Sequence, residues 1–128
     1  MHLSMFLGPI VFGPQMDKPV IDAGIEQALE ADDAGFAAIY VGEQHNNNYE
    51  PYSNPFMMGS YLAGQLQQAW IGTSVVPLIL HHPMFLVERF NLLDQLTEGK
   101  VMFGISAGRP GDGKTFGVDA LSAAERQR

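Results

Sequence analysis

One pattern limits what this chain can become: an uncharged apolar run that turns abruptly polar, then a helical stripe, over and over. Leu3 to Val11, Phe36 to Gly42, Trp70 to Ile79 and Val101 to Ser106 are rich in aliphatic, β-branched and aromatic residues. Continuous apolar runs of this length read as strands covered on both faces. Between them, Val20 to Ala34, Phe56 to Gln68 and Met84 to Thr97 carry apolar residues at helical spacing. Ile21, Ile25, Ala28 and Leu29, with Ala31 or Asp32, form the first stripe; Met57, Met58, Tyr61, Leu62 and Leu66 form the second. Asp17 and Pro19 suit the start of the first helix, and Gly35 suits a left-handed stop. Asn54-Pro55 offers a side-chain cap followed by a proline at the first helical position. Gly99 closes the third helix, and Asp119 to Arg128 reads as the start of a fourth. Pro77 has no N–H to donate, so the regular third strand is predicted to stop near Val76.

Each strand and helix together take about 30 to 35 residues, a spacing that demands parallel strands with crossover connections. An open doubly wound sheet shows a glycine fingerprint after its first strand. Gly8-Pro9-Ile10 fails as one, because a proline interrupts it and no helix follows directly. The predicted fold class is therefore α/β, the N-terminal half of a TIM (β/α)8 barrel. Residues 1–128 are read as one partial domain of about four β/α units. Two sheet edges would be left unpaired, so the expectation is a fragment, or a chain completed by the missing half or by another copy. Alone, it is expected to aggregate or to be partly ordered.

Composition removes other classes. Hydrophobic residues at 46% against 16% charged suit a buried sheet and not a disordered chain. A net charge of −7 makes nucleic acid and anionic membrane poor partners. The absence of cysteine excludes disulfides, thiolate metal sites and thiol nucleophiles. No apolar run approaches the roughly 20 residues of a membrane span, and no leader pattern opens the chain. A cytoplasmic enzyme domain is expected.

Parallel α/β proteins place reactive side chains where a buried strand opens into its loop. The second run does this most clearly, delivering Glu43, Gln44 and His45 straight after Val41-Gly42. By itself the stretch can also be read as polar residues capping a strand. A zinc site at His45, His81 and His82 lacks the helix-borne ligand pair. Residues 108–115 (GRPGDGKT) have the phosphate-loop spacing, but the next helical pattern begins only at Asp119, so the loop does not open directly into a helix as such a site requires. No metal site and no nucleoside triphosphate site are assigned.

Four blocks then carry a family resemblance. They are residues 35–45 (GFAAIYVGEQH), Asn54-Pro55-Phe56, residues 71–77 (IGTSVVP) with His82-Pro83, and Leu92-Leu93-Asp94-Gln95-Leu96 with residues 99–105 (GKVMFGI). In order and spacing the chain resembles the N-terminal half of the luciferase-like monooxygenases, flavin-dependent (β/α)8 barrels related to bacterial luciferase. The resemblance implies reduced FMN at the C-terminal mouth of the barrel, possible supply by a flavin reductase, and oxidation of a small organic substrate with O2. Related barrels use the deazaflavin F420 for hydride transfer instead, and a non-catalytic flavin-binding half-barrel is a further alternative. The family's Glu-His-His signature here reads Glu43-Gln44-His45, so the resemblance assigns catalysis to His45 with Gln44 and flavin contact to Glu43. Gln44 hydrogen-bonds but does not shuttle protons at neutral pH. Ser106 stands where luciferase has a reactive cysteine, and Ala107 where its phosphate-contacting arginine falls, with Arg109 two residues on. Ser74, Val75, Ser106 and Arg109 complete the implied cofactor contacts. Several relatives carry a non-prolyl cis peptide at the bond matching Ser74–Val75, which the resemblance therefore implies here.

Overall fold

The computed structural model describes residues 2–45, 50–109 and 111–118. Four strands form one parallel sheet: β1 (Ser4–Leu7), β2 (Ala38–Val41), β3 (Trp70–Pro77) and β4 (Val101–Ser106). They are hydrogen-bonded in sequence order, β1-β2-β3-β4. A doubly wound sheet reverses its strand order at a switch point; this one keeps stepping the same way, as the wall of a barrel does. Helices α1 (Asp17–Asp33), α2 (Pro55–Ala63) and α3 (Pro83–Leu96) fill the crossovers, and a short α4 (Asp112–Thr115) follows β4. The last was not anticipated, and the helix expected over 119–128 lies outside the described residues.

Helix boundaries follow the capping chemistry. The Asn54 side chain accepts from the N–H groups of Phe56 and Met57, both at 3.1 Å, with Pro55 in the first turn. His82 does the same for α3, its Nδ1 accepting from the Met84 N–H at 3.3 Å. Gly35 and Gly99 are left-handed at φ 81° and 82° and stop α1 and the α3 turn. Besides shifts of two or three residues at the starts of α1 and β2, boundaries differ from expectation in β1, α2 and β3. β1 ends at Leu7 because Gly8 and Pro9 break it, and α2 ends at Ala63, ahead of Gly64, not at Gln68. β3 runs one residue past Val76, with Pro77 paired to Ser106. A proline can serve in such a pair through its carbonyl.

The core lies between the sheet and the helices. Leu7, Ile39, Val41, Ile71 and Val76 from the strands meet Ala28, Phe56, Leu62, Leu86 and Leu93 from the helices. Phe103 and Phe90 stack at 4.4 Å beside Phe56. In α2 the buried positions are Phe56, Met58, Gly59 and Leu62, whereas Met57 and Tyr61 are 73% and 57% exposed. That corrects the predicted stripe: α2 rolls so that Gly59 lies against Ile71 and Leu93, where a Cβ would already sit 3.1 Å from Ile71.

One buried acid ties the layers together. Asp32, 2% exposed near the end of α1, accepts from the backbone N–H groups of Gln67 (2.6 Å), Gln68 (3.1 Å) and Ala69 (2.6 Å). These are the donors of the segment that feeds β3. Burial pushes the Asp32 carboxyl up, but the three donors and nearby Lys100 outweigh it and hold it below its ordinary 3.8. A depressed carboxyl stabilises the fold above its unfolded value, and that stability disappears as pH falls through the folded value. Asp32→Asn turns one acceptor into a donor facing donors and is expected to cost about 2–3 kcal/mol. Urea denaturation at pH 7 should show the loss, and the gap between the two proteins should narrow below pH 3.8.

Candidate functional site

Every strand ends on the same rim, so the loops after β2, β3 and β4 face one another across it. There they enclose a cavity of about 590 Å³. Its walls include Glu43, Gln44 and His45 from β2, Ser74 and Val75 from β3, and Ser106 and Arg109 after β4. All seven residues singled out in the sequence are thus brought together. Pro77, Leu80, Gly108, Gly111 and Asp112 complete the lining.

At the β3 wall the ladder slips. Thr73 pairs with Phe103 and Val76 with Ile105, three residues of β3 against two of β4, which is a bulge of one residue. The Thr73 hydroxyl mends the gap, donating to Gly104 O at 2.9 Å and accepting from Gly104 N at 3.0 Å. The bulge turns Ser74 and Val75 out to the cavity, and the Ser74–Val75 peptide is cis, as the resemblance implied. After β4, Gly108 N donates to Ser106 Oγ at 3.3 Å, and Arg109 N donates to Asp112 Oδ2 at 2.6 Å. These contacts fold the loop back so that the Arg109 guanidinium donates to Gln44 Oε1 across the rim.

The β2 wall holds a buried carboxylate, Glu43, whose side chain is 2% exposed. His45 Nε2 lies 2.7 Å from Glu43 Oε1, and His81 Nε2 lies 2.9 Å from each Glu43 oxygen. The His45 ring also meets Phe116 edge-on at 5.0 Å. These are direct hydrogen bonds, and among the described residues no group of His, Asp or Glu could hold a metal ion. A second cavity of about 260 Å³, lined by His81, Arg89, Asn54 and Phe116, shares Glu43 and His45 with the first.

Two residues escaped the sequence reading. His81 enters the sequence reading only through the rejected zinc set, although it follows β3 as His45 follows β2, a recurrence visible in the sequence. Glu50 gave no signal, since four residues separate it from His45 and the strand end. It is buried, a Cβ on Gly42 would overlap its carboxylate, and Oε2 finds no hydrogen-bond partner among the described residues. Gly42 is therefore glycine because Glu50 occupies its side-chain space. Burial pushes the Glu50 carboxyl up to about 7 from its ordinary 4.5, partly opposed by the positive charge of Arg109. The neighbouring Tyr52 hydroxyl, which donates to Leu7 O at 2.9 Å, is raised as well, by burial and then by Glu50.

A carboxyl raised on folding favours the folded state fully below its unfolded value, and that contribution is lost as pH rises through the folded value. The window here runs from 4.5 to about 7. Glu50→Gln keeps the shape without the charge. Between pH 5 and pH 8 the wild type should lose stability relative to this variant by up to about 3 kcal/mol. Urea denaturation of both proteins at the two pH values reads this directly, and parallel behaviour would contradict it.

The whole of residues 1–128 matches the family model for luciferase-like monooxygenases. Limonene 1,2-monooxygenase of Rhodococcus erythropolis is 32% identical over 107 residues, covering 83% of this chain and 28% of that protein. The oxygenase component of the flavin-dependent trigonelline monooxygenase of Acinetobacter baylyi is 32% identical over 132 aligned positions, covering 100% of this chain and 37% of that protein. Among solved structures, monooxygenase RslO1 from Streptomyces bottropensis superposes with a TM-score of 0.88 at 22% identity, over 98% of this chain and 39% of its own. The oxygenating constituent of 3,6-diketocamphane monooxygenase from Pseudomonas putida, solved in complex with FMN, gives 0.87 at 22%, over 98% and 36%. At these identities the two structures speak to the fold alone: the four β/α units match part of a TIM-barrel monooxygenase. The chain spans about a third of the length of these relatives. Complete coverage by the family model, with two relatives at 32% identity, makes it a member of the luciferase-like monooxygenase family.

Proposed function

We propose that residues 1–128 are one partial barrel domain contributing the β2–β4 side of a reduced-FMN site in a monooxygenase that oxidises a small organic substrate with O2. The observation that carries this reading is the convergence of seven residues from three strand ends on one cavity. Its volume, about 590 Å³, lies within the range of cofactor sites. The residues present fit the group: a guanidinium and a serine hydroxyl for a phosphate, and a bulged strand edge for a planar ring. The relatives' names, an oxygenase component and an oxygenating constituent, support supply of the reduced flavin by a separate reductase.

When bound, the flavin supplies the electrons that activate oxygen. The chain's own residues bind, orient and exclude water. Arg109, held toward the rim by Gln44 Oε1 and the Asp112 turn, places a fixed positive charge for a phosphate, with Ser106 beside it. Ser74 and Val75 present backbone and a small apolar side chain where the ring would lie, and Pro77 and Leu80 keep that wall dry. His45 brings the imidazole of the cavity, with Nε2 on Glu43 and, among the described residues, no hydrogen bond on Nδ1, the nitrogen that takes or gives a proton.

Titration of the protein with photoreduced FMN, followed by fluorescence quenching, tests this. Arg109→Ala should weaken FMN about 10- to 100-fold, the value of one charge-assisted contact, and riboflavin, which has no phosphate, far less. Equal losses for both would remove Arg109 from the phosphate role. Binding of F420 alone would replace the oxygenase reading with hydride transfer.

A further inference from the structure

The Glu43 carboxylate is shared by two imidazoles, and the proposed reading uses only one of them. His81 approaches both Glu43 oxygens at 2.9 Å through Nε2, while its Nδ1 faces Arg89 Nη1 at 3.4 Å. Arg89 projects from α3, so this chain of contacts runs from the outer helix layer to the rim. We infer that Arg89 and His81 are positioning residues that keep His81 neutral and thereby reserve the charge of Glu43 for His45, whose Nδ1 is the proton-handling atom at the cavity.

The assignment follows from what each group can do. A guanidinium only donates, so the His81 nitrogen it meets must present a lone pair. With Nδ1 accepting, the His81 proton sits on Nε2 and is donated to Glu43. A second proton on His81 would have to go onto Nδ1, against the cation, so the ring is held in one neutral tautomer. Glu43 then accepts from His81 on both oxygens, and Oε1 also accepts from His45 Nε2. His45 is fixed as the Nε2–H tautomer with Nδ1 as its only lone pair. Among the described residues no hydrogen bond reaches that atom, and the edge of Phe116 steadies the ring. Protonation of Nδ1 would set an imidazolium directly against the buried Glu43 carboxylate. The charged and titratable groups around the pair are Glu43 from β2, the buried Glu50 carboxyl behind Gly42, Arg89 from α3, and, across the cavity, Arg109 on Gln44 with Asp112 accepting from its backbone N–H. His82 is occupied in capping α3.

The inference rests on His45 being the proposed titratable group, but its test needs no flavin. Two-bond nitrogen–proton correlation spectra of the full protein, labelled at the four histidines, report tautomer and charge of each ring through a pH titration. In the wild type His81 should stay neutral and Nε2-protonated while His45 gains its proton at Nδ1. Arg89→Met, a change on an exposed helix surface, should let His81 take up a proton in the same titration, and Arg89→Lys should restore the wild-type pattern. His81 charging ahead of His45 in the wild type, a His45 ring protonated on Nδ1 when neutral, or an Arg89→Met protein with an unchanged titration would each overturn the inference. If FMN fails to bind while the histidine pattern holds, only the flavin reading falls.

Discussion

Parallel pairing in strict sequence order is the constraint on which the site depends. Once β1 to β4 are neighbours in that order, each strand delivers its following loop to one rim. Residues 43, 74 and 106, far apart in sequence, then have nowhere to be except near one another. Polar contacts fix the ends of the elements beside the apolar core. Asp32 gathers three backbone donors just ahead of β3, Asn54 and His82 fix where α2 and α3 begin, and Thr73 closes the bulge against Gly104.

The rim is electrostatically unusual because two carboxyls are buried there and treated differently. Glu43 has two imidazoles within 2.9 Å and is satisfied on both oxygens. Glu50 sits behind Gly42 with one oxygen unpartnered among the described residues, and is pushed up to about 7. At Glu50 burial is opposed only partly, by the charge of Arg109, whereas at Asp32 three backbone donors and Lys100 outweigh it. Environments of this kind separate one acid from another and are characteristic of sites that handle protons.

Much of the fold was legible in the sequence, because continuous apolar runs and stop signals speak about local structure. β4 fell on its expected residues, and Asn54, Gly35 and Gly99 marked real helix ends. What could not be read was decided by tertiary contact. Met57 and Tyr61 fit a helical stripe, yet α2 turns them outward because Gly59 fits closer to the sheet. α2 stops early because its last residues serve Asp32 instead of the helix. At the site, the end of the second strand pointed to Glu43, Gln44 and His45, while Ser74, Val75, Ser106 and Arg109 came from the family resemblance. Glu50 and Arg89 reach the rim from a loop and a helix, and no periodicity connects them to it.

The central claim is that three strand ends form one flavin-holding rim. Hydrogen–deuterium exchange of the protein with and without reduced FMN tests it most directly. The account predicts new protection confined to the segments around residues 43–45, 74–77 and 106–112, with the α1–α2 groove around Ile25, Tyr52 and Tyr61 unchanged. Protection centred on that groove, or none at the rim under saturating FMN, would contradict it.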